Sequence, residues 1–177
     1  MIFLFAGHGG GDPGAVGVGG RKESNETIML RDAIVSNVPF GQPLHVDSDR
    51  DRLADVLRKA NTGEASVVLD LHFNASANPA ATGVEVIVGD DAQPNDIALA
   101  TDILNAVVAR TQLKSRGIKR EGETPHKRLG VMREKGAVCL LEVCFITNSG
   151  DMTVYDLAKA DIAKDLAKIL VKHDALK

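Results

Sequence analysis

The chain has 177 residues and a mass of 18.8 kDa, with 44% hydrophobic and 25% charged residues, which fits one globular domain with a substantial core. Lys and Arg total 21 against 24 Asp and Glu, a formal charge of −3, and there are five Phe, one Tyr and no Trp. These numbers exclude the basic surface and aromatic platform of a nucleic-acid binder, and no apolar run reaches the roughly 18–20 residues that span a bilayer. Glycine alone is unevenly spread: eight of 17 fall between Gly7 and Gly20.

Met1–Ala6 is apolar, lacks a basic flank and is too short for a signal-peptide core, so it reads as a buried strand, and the chain is expected to be synthesised in the cytoplasm or to be a domain of something larger. After the glycine-rich loop, Ile28, Ala33, Ile34 and Val38 predict a helix over Thr27–Val38, and Leu44–Val46 reads as a short strand. Asp49 or Asp51 is placed to cap a helix through Leu53, Val56, Leu57 and Ala60. Ser66–Phe73 and Gly83–Val88 read as strands, and Pro94 opens a helix to about Thr111. Lys114–Arg128 is polar and is expected to be an exposed excursion, with Leu129–Met132 a short strand after it. Ala137–Phe145 is a buried strand, and an amphipathic helix from about Ala160 to Lys172 closes the chain. This alternation predicts a single α/β domain over 1–177: a three-layer α/β/α sandwich around a mostly parallel, mixed, twisted sheet of about six strands.

Open α/β sheets bind ligands beyond the carboxyl ends of their strands. His8 lies two residues past the first strand, His72 ends the third, and Glu142 interrupts the apolar run Ala137–Phe145. A carboxylate in a buried strand needs a partner or a function, because ionising it away from water costs several kcal/mol. Two imidazoles with nearby carboxylates form a ligand set suited to zinc. Glu23 or Glu26, both just after the glycine loop, could supply a third donor, and spacing does not choose between them. Both also suit a helix N-terminus as simple favourable charges.

Two rival chemistries compete for these segments. Gly9-x-Gly11-x-x-Gly14 formally matches a dinucleotide fingerprint, but Asp12 would face a pyrophosphate and Pro13 removes a backbone donor. Cys144 shares a strand face with Glu142 by simple alternation, so a thiol nucleophile with His72 as its base is a second possibility. Nothing basic beside Cys144 would lower its pKa, and Cys139 and Cys144 are spaced too far apart along one strand to form a disulfide.

The segments 7–15 (GHGGGDPGA), 22–23 (KE), 71–75 (LHFNA), 83–86 (GVEV), 115–119 (SRGIK) and 140–148 (LLEVCFITN) together resemble the type 3 class of zinc-dependent N-acetylmuramoyl-L-alanine amidases. That class includes bacterial cell-wall hydrolases and phage endolysins, and the pieces follow family order over about 140 residues. The resemblance implies His8, Glu23 and His72 as ligands of one Zn2+ ion and Glu142 as the catalytic carboxylate, and it favours Glu23 over Glu26. It implies peptidoglycan (a muramyl peptide) as substrate, cleaved at the amide between N-acetylmuramic acid and L-alanine. Thr27, Asp70 and Cys144 depart from the family pattern, and Asp70 is placed to accept a hydrogen bond from His72. The resulting expectation is a monomeric phage or prophage endolysin without a separate wall-binding domain, acting on the wall after release. A non-catalytic peptidoglycan-binding module of the same fold would be expected to lack a ligand or Glu142. The basic residues of the 114–128 excursion suit either a solvated loop or a rim contacting stem peptide or glycan.

Overall fold

Strand β1 (Ile2–Ala6) is buried along its whole length, as a strand covered on both faces must be. In the computed structural model, which describes residues 1–51 and 53–176 apart from the Leu53 side chain, β1 lies within a six-stranded sheet. Its other strands are β2 (Leu44–Val46), β3 (Val67–Asn74), β4 (Val84–Val88), β5 (Ser115–Arg120) and β6 (Ala137–Phe145), in the order β2-β1-β3-β6-β4-β5. β2, β1, β3 and β6 run parallel, whereas β4 is antiparallel to β6 and β5 parallel to β4. The reversal brings the amino ends of β4 and β5 to the same sheet edge as the carboxyl ends of β1, β3 and β6.

Among the described residues, four α-helices accompany the sheet: α1 (Glu23–Val35), α2 (Leu53–Lys59), α3 (Pro94–Thr111) and α4 (Ser149–Asp174). Their cover is unequal. Leu30 and Ile34 of α1, Ile103 of α3 and Leu166 of α4 pack with Leu69, Leu71 and Leu141 in one large cluster. On the opposite face Phe3, Phe5, Val68 and Leu140 cluster with Val56 of α2 and with Val131 and Met132 of a 3-10 turn, Gly130–Arg133, and the partly buried Leu57, Ala60 and Leu129 pack against them. Each fully buried aliphatic side chain contributes about 1.5–3 kcal/mol, so the three long helices anchor the domain. The thinly covered face is left open for a site at the sheet edge.

Four boundaries differ from the sequence expectation. Helix α1 starts at Glu23 rather than Thr27, because Glu23 and Glu26 are buried in its first turn and their polarity conceals a helical face that tertiary partners satisfy. Helix α4 starts at Ser149, eleven residues before Ala160, where the Asn148 side chain accepts the Gly150 and Asp151 N–H groups as an N-cap. Ser115–Arg120 of the polar excursion is a strand, its basic side chains suited to a sheet edge. Leu129–Met132 is not a strand: Gly130–Arg133 forms the 3-10 turn. Of the expected caps of α2, Asp49 pairs with Arg31 and Asp51 with Lys59.

Candidate active site

Two strand ends and one helix start converge at the open edge. His8 follows β1, His72 lies near the end of β3, and Glu23 is the first residue of α1. One donor atom from each of these three lies within 4.8 Å of the others. Glu23 is the hub: its Oε1 accepts from His72 Nδ1 and the Phe73 N–H, each at 3.0 Å. Its Oε2 accepts the Ala15 N–H and lies 3.0 Å from His8 Nε2. Burial pushes the Glu23 carboxyl up, but the hydrogen bonds from His72 and His8 outweigh it and hold the group far below the usual carboxylate range. The bond to Glu23 holds His8 above its ordinary pKa against the pull of burial. Burial lowers His72, yet the Asp70 and Glu23 carboxylates raise it well above the usual imidazole value.

Each imidazole has a second carboxylate at its far nitrogen. His8 Nδ1 is 2.9 Å from Asp12 Oδ2, and His72 Nε2 is 3.4 Å from Asp70 Oδ2. Asp70 is buried on the same strand face as His72, and neither of its oxygens has a hydrogen-bond partner among the described residues. The glycine loop permits this crowding. A Cβ on Gly7 would collide with the His72 ring, and one on Gly14 would stand 2.6 Å from His8 Cδ2 and 2.8 Å from Glu23 Oε2. Gly14 also has φ +63°, a left-handed conformation that side chains disfavour. The Thr27 hydroxyl, buried in α1, lies 2.9 Å from the Gly7 carbonyl and ties the helix start to the end of β1.

Glu142 stands opposite His72 in the β3–β6 register and lines the same hollow as His8, Glu23 and His72. Its Oε2 is buried with no hydrogen-bond partner among the described residues. Burial pushes this carboxyl up to about 7 against the opposing charge of His72. Its partner across the antiparallel β4–β6 pair is Glu85, a buried residue that the strand-end rule misses because that rule assumes parallel strands. The signal was present: Glu85 sits between Val84 and Val86 as Glu142 sits between Leu141 and Val143. Glu85 accepts from Arg116 Nε and Lys119 Nζ, each at 2.6 Å, and from Asn74 Nδ2 at 2.8 Å.

The remaining candidates lie apart from the cluster. Glu26 is held by Arg21 through two hydrogen bonds of 2.8 Å, and Arg21 also grips Asp156. Cys144 does not share the face of Glu142. The β3–β6 register shifts between His72 and Asn74, so β6 carries an extra residue, and such a bulge reverses the alternation beyond it. The Cys144 thiol points into the helix-covered core, 3.7 Å from Met152 Sδ, and burial pushes its pKa well above the ordinary thiol value. Both cysteines are free. Thr124, Pro125 and His126 of the expected excursion, and Leu129 just after it, line the hollow beside Glu142.

A family model described as N-acetylmuramoyl-L-alanine amidase, Amidase_3, matches residues 2–172. Among curated proteins, the uncharacterized protein YqiI of Bacillus subtilis (strain 168) is 28% identical over 155 residues, covering 85% of this chain and 72% of the relative. An endolysin of Bacillus phage SPP1 is 29% identical over 176 residues, covering 95% of this chain and 62% of the relative. Among solved structures, an N-acetylmuramoyl-L-alanine amidase from Clostridium difficile 630 superposes with a TM-score of 0.82 at 21% identity, covering 99% of this chain and 97% of the other. The match over residues 2–172 settles the family: the chain belongs to the Amidase_3 family of N-acetylmuramoyl-L-alanine amidases.

Proposed function

We propose that this chain is a zinc-dependent peptidoglycan hydrolase that cuts the amide between N-acetylmuramic acid and L-alanine, with His8, Glu23 and His72 holding the metal and Glu142 moving the proton. The observation that carries the reading is the convergence of two imidazoles and one ionised carboxylate beside Glu142, whose Oε2 is buried without a hydrogen-bond partner among the described residues. The donor set fits zinc. Two nitrogens and one carboxylate leave a coordination position open, and a carboxylate stands at the far nitrogen of each imidazole, Asp12 hydrogen-bonded to His8 and Asp70 acting through its charge 3.4 Å from His72 Nε2. When bound, zinc supplies Lewis acidity and lowers the pKa of a coordinated water to about 7.

Glu142 supplies the proton traffic. As the water oxygen adds to the lactyl carbonyl carbon, the Glu142 carboxylate accepts the water proton. It then delivers a proton to the alanine nitrogen as the C–N bond breaks, leaving a carboxylic acid on the sugar side and a free amine on the peptide. The raised pKa of Glu142 suits a group that must both take and return a proton near neutral pH.

A role as a phage or prophage endolysin is supported by the likeness to the SPP1 endolysin, of whose length this chain spans 62%. The test is clearing of a purified cell-wall suspension by the protein before chelation, after chelation and after zinc is restored. Clearing should stop and return; clearing that survives complete removal of metal would overturn the metal assignment.

A further inference from the structure

Asp70 is 1% exposed, and neither of its oxygens has a hydrogen-bond partner among the described residues. Its neighbours on the sheet face are apolar. Phe5 of β1 and Leu140 of β6 stand beside it in register, and Val68, two residues back on β3, belongs with them to one apolar cluster. The ion pair that Asp70 makes among the described residues is with His72, two residues on, whose Nε2 lies 3.4 Å from Asp70 Oδ2. A carboxylate buried in apolar surroundings is costly unless another charge answers it, so the presence of Asp70 is tied to what His72 does.

The His72 ring is held at both edges. Nδ1 is 3.0 Å from Glu23 Oε1, inside the His8–Glu23–His72 cluster. The other edge lies against Gly7, where a Cβ would stand 2.4 Å from Cε1 and 2.5 Å from Nε2. A neutral ring with its proton on Nδ1 would turn the Nε2 lone pair toward the Asp70 carboxylate, a repulsive contact shielded from water. With the proton on Nε2, that contact is favourable and the Nδ1 lone pair is free for a cation in the cluster. His8 is arranged the other way round, with Nε2 toward Glu23 and Nδ1 toward Asp12. The Asp12 side chain is 63% exposed, so water can take its place beside His8. The Asp70 position is closed to solvent.

Resting on the metal-dependent reading above, we propose that Asp70 is a positioning residue for the metal: its charge keeps the His72 proton on Nε2, commits Nδ1 to zinc, and strengthens zinc binding more than Asp12 does. A carboxylate attracts a dication twice as strongly as a proton at the same distance, so its loss weakens zinc binding even where protons compete for the ring.

The test is zinc affinity, measured by competition with a chromogenic chelator in the wild type, Asp70→Asn and Asp12→Asn. Asp70→Asn should bind zinc about 10- to 100-fold more weakly, and Asp12→Asn less than about fivefold more weakly. Long-range proton–nitrogen NMR spectra of the zinc-loaded wild type read the rings without any variant: His72 should carry its proton on Nε2 and His8 on Nδ1. A His72 proton on Nδ1 overturns the proposal even if Asp70→Asn fails to fold. Asp70→Asn that binds zinc as tightly as the wild type, or Asp12→Asn that loses as much affinity, overturns the role of Asp70 while the metal assignment stands. A wild-type protein that binds no zinc overturns the metal assignment and the role of Asp70 with it.

Discussion

Glu85 and Glu142 face each other across the antiparallel β4–β6 pair, yet their surroundings drive the two carboxyls apart. Burial pushes both up, but Lys119 and Arg116 outweigh it at Glu85 and leave that group below the ordinary carboxylate value. Glu142 makes no such ion pair among the described residues, and burial outweighs the charge of His72 to bring it up to about 7. One carboxyl is thus held ionised and the other is poised to take up a proton near neutral pH, a difference set by environment alone.

The first consequence concerns Glu142→Gln. The substitution keeps the side chain's shape and leaves His8, Glu23 and His72 untouched, so zinc stoichiometry should stay near that of wild type. Wall clearing should fall by about 10²- to 10⁴-fold, the range expected for loss of a general acid–base. Metal content by mass spectrometry and clearing rates on the same preparation check both halves. Retained activity would remove Glu142 from the reaction.

Glu85→Gln should act on stability. It leaves Arg116 and Lys119, each 31% exposed at the side chain, without their shared counter-charge. A loss of about 1–2 kcal/mol is expected. In urea titration the midpoint should drop with the slope unchanged.

The raised pKa of Glu142 also gives the metal-free protein a pH dependence of defined sign. The folded value of about 7 lies above the ordinary glutamate value of 4.5. The carboxyl's contribution is therefore fully present below about pH 4.5 and is lost as pH rises through 7. Relative to Glu142→Gln, the wild-type apoprotein should lose about 3 kcal/mol of unfolding free energy between about pH 4.5 and pH 8. Denaturant melts of the two proteins across that interval measure the difference directly, and a constant gap would show that burial does not perturb this group.

Glu23→Ala and Glu26→Ala separate the two carboxylates left open by spacing. Glu23 bonds both imidazoles, and its removal should abolish zinc binding. Glu26 serves Arg21, and its removal should cost about 1–3 kcal/mol of stability while zinc binding persists. Competition against a chromogenic chelator distinguishes them.

Cys144→Ala should retain wall clearing, and iodoacetamide should not inhibit the native enzyme. The thiol lies in the helix-side core, its face reversed by the bulge beyond Glu142. Rapid inactivation by the reagent under native conditions would contradict this placement.

The parts of the molecule that were readable in the sequence share one property: their signal is local. The apolar run Ala137–Phe145 declares β6 with both of its ends, and Pro94 declares the start of α3. His8, His72 and Glu142 stand out because polar residues at strand ends need a reason. What escaped depends on distant partners. Strand β5 is polar because it is an edge, and the first turns of α4 are polar until Asn148 caps them. Glu85 reaches the site only because β4 runs backwards, a reversal that no local pattern in Val84–Val88 encodes. The face of Cys144 depends on one extra residue in β6, which alternation counted along the chain does not reveal. The choice of Glu23 over Glu26 at the cluster likewise needs Arg21 and Asp156 in place.

The most direct measurement is mass spectrometry of purified peptidoglycan digested by the zinc-loaded protein. Cleavage at the lactyl–alanine amide predicts stem peptides with a free L-alanine amino terminus and glycan strands ending each lactyl group in a carboxylic acid. These products should be absent with Glu142→Gln. Reducing sugar ends or peptides cut within the stem, with the lactyl–alanine bond intact, would contradict the account.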